Sequence, residues 1–172
     1  MLFRSLETGI RFLKESGAHV VKLEGGVRVV EQIKALVTYG IPVIGHLGMT
    51  PQSVNAFGGF KVQGRNEAGD AIIADALALQ DAGCCGIVLE LIPAELAEKI
   101  TAALSIPTIG IGAGPSCDAQ VLVWTDLMGL TQKPPTFARA YSQLRAEMMA
   151  STKRWIADVE AGSFPNENET FH

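Results

Sequence analysis

Four polar side chains stand at the ends of apolar runs. Lys22 and Glu24 close the run HVVKLEGG, His46 lies near the end of IPVIGHLG, and Glu90 stands in GIVLELIP. Runs rich in Val and Ile and bounded by Gly or Pro read as buried parallel strands. A buried strand has no packing need for a charge at its carboxyl end, because an unpaired buried charge is costly. An active site does need one, since ligands of parallel α/β folds sit outside that end. The chemistry suggested is that of an enzyme with an ammonium, an imidazole and two carboxylates at one rim.

Side chains alternate along a strand, so Lys22 and Glu24 point to the same face. If that face lines a barrel, an ammonium and a carboxylate meet at its mouth. The alternative is an ion pair that only fixes packing. His46, between Gly45 and Leu47, is either a satisfied structural histidine or a site residue, and its strand-end position favours the second no more than the first. Glu90 follows Ile87, Val88 and Leu89. Desolvation in such a run raises a carboxyl pKa, which suits a general base near neutral pH. The alternative is a solvated strand terminus.

The elements that must position these residues alternate along the chain. Residues 6–16 put Leu6, Ile10 and Leu13 on one helical face, and Gly17 follows as a cap. The pattern then predicts strand 19–24, helix 27–38, strand 42–47, helix 69–82, strand 86–90, helix 93–103, strand 107–112 and a short strand at 120–125. Residues 48–68 form a loop too long for an idle connection. In it Lys61 and Arg65 could meet an anion or simply face solvent. GIGAG at 110–114 lacks the spacing of a dinucleotide loop and reads as a closely packed turn. From 136 onward Phe137, Tyr141, Leu144, Met148, Trp155 and Val159 make an apolar stripe. It predicts a helical segment over 136–162, packed on the domain or on a neighbouring subunit. The polar end, 163–172, follows.

Alternating strands and helices imply a parallel sheet, open or closed into a barrel. A (β/α)8 barrel needs eight strands and about 250 residues. This chain has 172 residues and shows about five strands, and its first element is a helix. The expectation is one partial barrel domain over 1–172, or a small open sheet.

Composition excludes several classes. The formal net charge of −4, with no basic stripe, argues against nucleic acid. No apolar run is long enough for a membrane span, and the charged opening is not a secretory signal. Cys84, Cys85 and Cys117 have no Cys-x-x-Cys spacing and read as reduced thiols of a cytoplasmic protein.

The segments VKLEGG, GHLGMTPQSVNAFGGFKVQGR, DALALQDAG, VLELIP, IPTIGIGAG and DVEAGSFP occur in the order found in one enzyme family. The chain resembles ketopantoate (3-methyl-2-oxobutanoate) hydroxymethyltransferase, of pantothenate biosynthesis, over essentially its whole length. The long TPQSV segment is the most specific part. The resemblance implies a (β/α)8 barrel that binds Mg2+ and transfers a hydroxymethyl group from 5,10-methylenetetrahydrofolate to 3-methyl-2-oxobutanoate. In the family the metal chelates the keto and carboxylate oxygens of the substrate and stabilises its enolate.

By position, the resemblance makes Lys22 and His46 substrate-binding residues, Glu24 a metal-associated acid and Glu90 the proton acceptor. It covers only the carboxyl-terminal part of the family, from about the helix before the fourth strand. The two aspartates that ligate magnesium and a serine that holds substrate fall in the part not covered. A truncated barrel would leave strand edges open to pairing. Self-association, or a separate front half, is therefore the expected partnership beside the small-molecule substrates. The rival expectation is a non-catalytic fragment that assembles with a full-length homologue.

Overall fold

The computed structural model describes residues 2–172, and the chain divides into two compact units, Met1–Val121 and Leu122–His172. The first unit runs α1 (Leu2–Glu15), β1 (Val21–Glu24), α2 (Val30–Thr38), β2 (Val43–Gly48), α3 (Val54–Phe57), α4 (Ala68–Asp81), β3 (Gly86–Glu90), α5 (Ala94–Ala103), β4 (Thr108–Ile111) and β5 (Ala119–Gln120). The strands form one parallel sheet in the order β1-β2-β3-β4-β5. The fold is α/β.

Strand order decides where the helices lie. Parallel crossovers are right-handed as a rule. When every strand is added on the same side of the last, each crossover passes over the same face. A doubly wound sheet would reverse its order and carry helices on both faces. Here the core joins Val43, Leu47, Ile87 and Leu89 of the strands to Ile33 and Leu36 of α2, Leu79 of α4 and Ile100 of α5. Leu6, Ile10 and Leu13 of α1 pack against the same cluster. Complete burial of a side chain such as Ile33 or Leu79 contributes about 1.5–3 kcal/mol, so this face is fixed strongly. Alternation then commits Lys22, Glu24, Ile44, His46, Val88 and Glu90 to the opposite face.

Local chemistry sets the element ends. β1 is shorter than the run suggested. Val21 N–H donates to Pro42 O, and pairing begins at Val21↔Val43, so His19 and Val20 have no partner strand. The segment 27–38 opens with a 3-10 turn, Val27–Val29, before α2. The 48–68 loop contains a 3-10 turn at Pro51–Ser53 and the single turn of α3. The expected strand over 120–125 is corrected: β5 has two residues, and α6 (Trp124–Leu127) takes up the end of that run. A strand pairs only as far as its neighbour extends. β4 stops at Ile111, Gly112 turns with φ +62°, and Val121 N–H donating to Gly110 O is the last bond.

The second unit holds α6 and α7 (Leu144–Glu160). The helix begins later than residue 136, so Phe137 and Tyr141 precede it. Tyr141 N–H donates to Leu127 O at 2.8 Å and Leu144 N–H to Met128 O at 3.1 Å. Amides committed to α6 in this way are not available to an earlier helical turn. α7 carries no buried residue, and Met148, Met149, Trp155, Ile156 and Val159 are exposed on it. In the polar end, Asn166 caps a 3-10 turn, Glu167–Glu169, reciprocally with Glu169. Among the described residues no helix is long and apolar enough to cross a membrane.

Candidate functional site

Sheet register brings the four strand-end residues together. Glu24 pairs with His46, which pairs with Val88; one step further, Gly48 pairs with Glu90. His46 therefore sits between β1 and β3, with Glu24 beside it on one strand and Glu90 diagonal to it on the other. Lys22 lies one step back, paired with Ile44. On the face away from α1, α2, α4 and α5 the four side chains converge.

The distances define a chain of charge. Lys22 Nζ lies 2.9 Å from His46 Nδ1 and 3.4 Å from Glu24 Oε1. An ammonium only donates, so His46 Nδ1 is the acceptor, and the proton of a neutral ring is on Nε2. Nε2 lies 3.1 Å from Glu90 Oε2, yet it is buried and makes no hydrogen bond, because the ring N–H does not point along that line. His46 Nδ1 and Glu24 Oε1, 3.5 Å apart, are bridged by the Lys22 ammonium between them. The His46 side chain is 3 % exposed, whereas those of Glu24 and Glu90 are 12 % and 14 % exposed. The carboxylates thus reach the solvent edge and the imidazole backs them.

Two loops hold the carboxylates in place. Gln52 N–H, at the start of the 48–68 loop, donates to Glu24 Oε2 at 3.0 Å. Glu90 is followed by Leu91 with φ +47°, a left-handed conformation that is strained for leucine. Three backbone bonds pin that turn: Met49 N–H to Glu90 O, Leu91 N–H to Ile111 O, and Gln63 N–H to Leu91 O. Gly48, φ +87°, lies flush on this turn, and a Cβ there would overlap the Glu90 carbonyl oxygen. The carboxylate is thereby turned at the strand end instead of continuing the ladder.

A cavity of about 760 Å³ lies elsewhere, by the first turns of α4 and α5 with Arg65 and Lys99 in its wall. It contains none of the four residues. The convergent polar groups, not that volume, define the candidate site.

The sequence profile of the ketopantoate hydroxymethyltransferase family matches residues 3–167. The chain belongs to that family. A 3-methyl-2-oxobutanoate hydroxymethyltransferase of Mycobacterium sp. strain KMS is 54% identical over 169 residues, 98% of this chain and 60% of the relative. Those of Acidothermus cellulolyticus and Frankia casuarinae are 56% identical over 95% of this chain and 54% over 94%, covering 60% and 55% of the relatives. The chain thus spans less than two thirds of the length of the curated relatives it matches.

The relatives are named as hydroxymethyltransferases, and hydroxymethyl transfer takes a one-carbon donor. The magnesium that the resemblance implies does not fit these residues alone. No group of three or more His, Cys, Asp or Glu side chains forms a metal cage among the described residues. Glu24, the expected metal acid, has Oε1 near Lys22 Nζ and Oε2 bonded to Gln52 N–H. Magnesium demands near-octahedral oxygen ligation, which one engaged carboxylate does not supply.

Sequence reasoning selected all four converging residues but missed their supports. Gln52 acts through its backbone, which leaves no signal in residue type. Buried Thr50 and the Leu91 turn are equally silent. The second glycine of LEGG did carry a signal: a Cβ at Gly26 would overlap the carboxylate of Asp75 in α4.

Proposed function

We propose that this chain contributes to hydroxymethyl transfer from methylenetetrahydrofolate to 3-methyl-2-oxobutanoate, giving ketopantoate. One observation carries the reading: an ammonium, an imidazole and two carboxylates meet at the strand ends of a family member, linked by distances of 2.9–3.5 Å. The parallel sheet with helices on one face is read as part of a (β/α)8 barrel, and the open face as its interior.

In this proposal Lys22 holds the substrate carboxylate by charge, and His46 offers its Nε2–H to a substrate oxygen. Glu90 takes the C3 proton. The C3–H electron pair moves into the enolate, and C3 then bonds to the carried carbon as one of its two bonds to folate nitrogen breaks; water displaces the second nitrogen, supplies the hydroxyl oxygen and releases tetrahydrofolate. Each role matches its group: an ammonium for an anion, a neutral imidazole as a donor, a carboxylate at the rim for a proton. Glu24 is the chain's contribution to a magnesium site, which requires oxygen ligands from beyond these four residues.

The test is loss of the C3 proton signal of 3-methyl-2-oxobutanoate in heavy water with magnesium, followed by proton NMR. Exchange that depends on the chain and vanishes in Glu90→Gln is the expected result. Exchange unaffected by that change removes Glu90 as the base. A folded chain with no exchange shows that these residues need further ligands to act.

A second reading rests on α7. Met148, Met149, Trp155, Ile156 and Val159 follow helical spacing along one exposed stripe, which suits assembly with a full-length homologue. Co-purification lost on replacing Trp155 and Val159 with polar residues supports it; a chain that stays unassociated counts against it.

A further inference from the structure

A cavity of about 270 Å³ shares His46 with the converging residues and extends from the β1 and β2 ends to α4. Its wall includes Arg28, Thr50, Phe57, Ile72 and Asp75. Thr50 is 3 % exposed, and its hydroxyl oxygen is buried with no hydrogen-bond partner. A buried hydroxyl left without a partner is costly, and it marks where a ligand atom or ordered water belongs.

The rest of the wall narrows the ligand class. Asp75 Oδ1 accepts from Val27 N–H at 2.8 Å, which fixes the carboxylate, and its Oδ2 accepts no bond among the described residues. The Arg28 guanidinium has no partner among them either. One cation and one anion leave the lining balanced, so a free anion has no advantage there. Phe57 and Ile72 supply apolar surface for a flat ring. The volume suits one fused ring system but not a long tail.

We propose that this cavity takes the reduced pterin ring of the one-carbon donor. The amide and amine N–H edge of the ring faces Asp75 Oδ2 and the Thr50 hydroxyl, and the carried carbon lies on the His46 side, toward Glu90. This rests on the hydroxymethyl-transfer reading and assigns its second substrate a place. Nothing covalent happens in the cavity; it orients the donor.

The probe is 6-methyltetrahydropterin, which lacks the aminobenzoyl and glutamate tail, titrated calorimetrically into the full chain. Wild type binds it. Asp75→Asn keeps the bond to Val27 but turns the free acceptor into a donor, and weakens binding at least about tenfold. Thr50→Val weakens it by about fivefold, while Thr50→Ser stays within about twofold. Circular dichroism checks each fold, and if Asp75→Asn unfolds, the Thr50 pair decides.

A wild-type chain that does not bind the pterin overturns the proposal. So does equal binding by wild type, Asp75→Asn and Thr50→Val, which means the cavity holds solvent only. Binding of 3-methyl-2-oxobutanoate, measured separately by ligand NMR, is unchanged by Asp75→Asn. Loss of that binding in wild type, with pterin binding intact, strikes the transfer reading and leaves this site standing.

Discussion

The Lys22 ammonium donates to His46 Nδ1 across 2.9 Å, from one strand to the next. A lysine has no acceptor, so this single contact fixes the histidine tautomer and leaves the proton on Nε2, 3.1 Å from Glu90 Oε2 but without a hydrogen bond to it. A tautomer fixed by a strand neighbour needs no rearrangement when substrate arrives.

Lys22→Ala removes both the tautomer lock and the charge for an anionic substrate. The expected result is a fall in 3-methyl-2-oxobutanoate affinity of roughly tenfold or more, the scale of a charge-assisted hydrogen bond. Nitrogen NMR of wild type shows Nδ1 as the unprotonated nitrogen of His46, and that distinction is lost in the variant. Unaltered affinity makes Lys22 a structural residue.

Glu24 ties the long loop to the site through Gln52 N–H at 3.0 Å. Glu24→Ala releases that amide, and its hydrogen exchange accelerates by roughly tenfold, as expected for loss of a bond to a charged acceptor. Glu24→Gln keeps an acceptor oxygen and gives a smaller change. Equal exchange in all three proteins means the loop is held by other contacts.

The legibility of the site has a physical cause. Lys22, Glu24, His46 and Glu90 stand out because polar residues at the ends of buried strands contradict their local pattern. Register does the rest, since parallel strands in sequential order put equivalent strand ends side by side. Thr50 and Asp75 follow no such pattern. A threonine in a loop and an aspartate on a helix are ordinary in sequence, and only closure of the 48–68 loop over α4 gives them a cavity. The 120–125 run was misread for a related reason: its residues suit a strand, but β4 offers no partner beyond Gly110 and Ile111.

Gly48 and Gly17 separate backbone strain from steric overlap. Both have positive φ, +87° and +72°. Around Gly17 nothing lies within 4 Å of a built Cβ, whereas Gly48 faces the Glu90 carbonyl and Ile92. Gly17→Ala costs about 1–2 kcal/mol of unfolding free energy, from the backbone alone. Gly48→Ala adds the overlap and costs roughly 3 kcal/mol or more. Because the overlap falls on the Glu90 turn, the same variant displaces the carboxylate. Equal costs in urea titrations contradict this account of the turn.

Cysteine reactivity tests the packing behind the site. Cys84 is buried in the core, where burial pushes its thiol up to about 11, while Cys85 beside it is exposed. The thiolate is the reactive form, so a thiol reagent at pH 8 modifies Cys85 first and reaches Cys84 only after denaturation. The stability sign follows from the raised value. Below the unfolded thiol range, near pH 8.5, both states keep the proton and nothing is lost. As pH rises from there toward 11, the unfolded chain ionises and the native thiol does not. Stability therefore falls, by at most about 1.4 kcal/mol per pH unit from this group. Cys84→Ala lowers stability at neutral pH through the cavity it leaves, but flattens the alkaline slope. An unchanged slope between pH 9 and 10 assigns the alkaline loss to other groups.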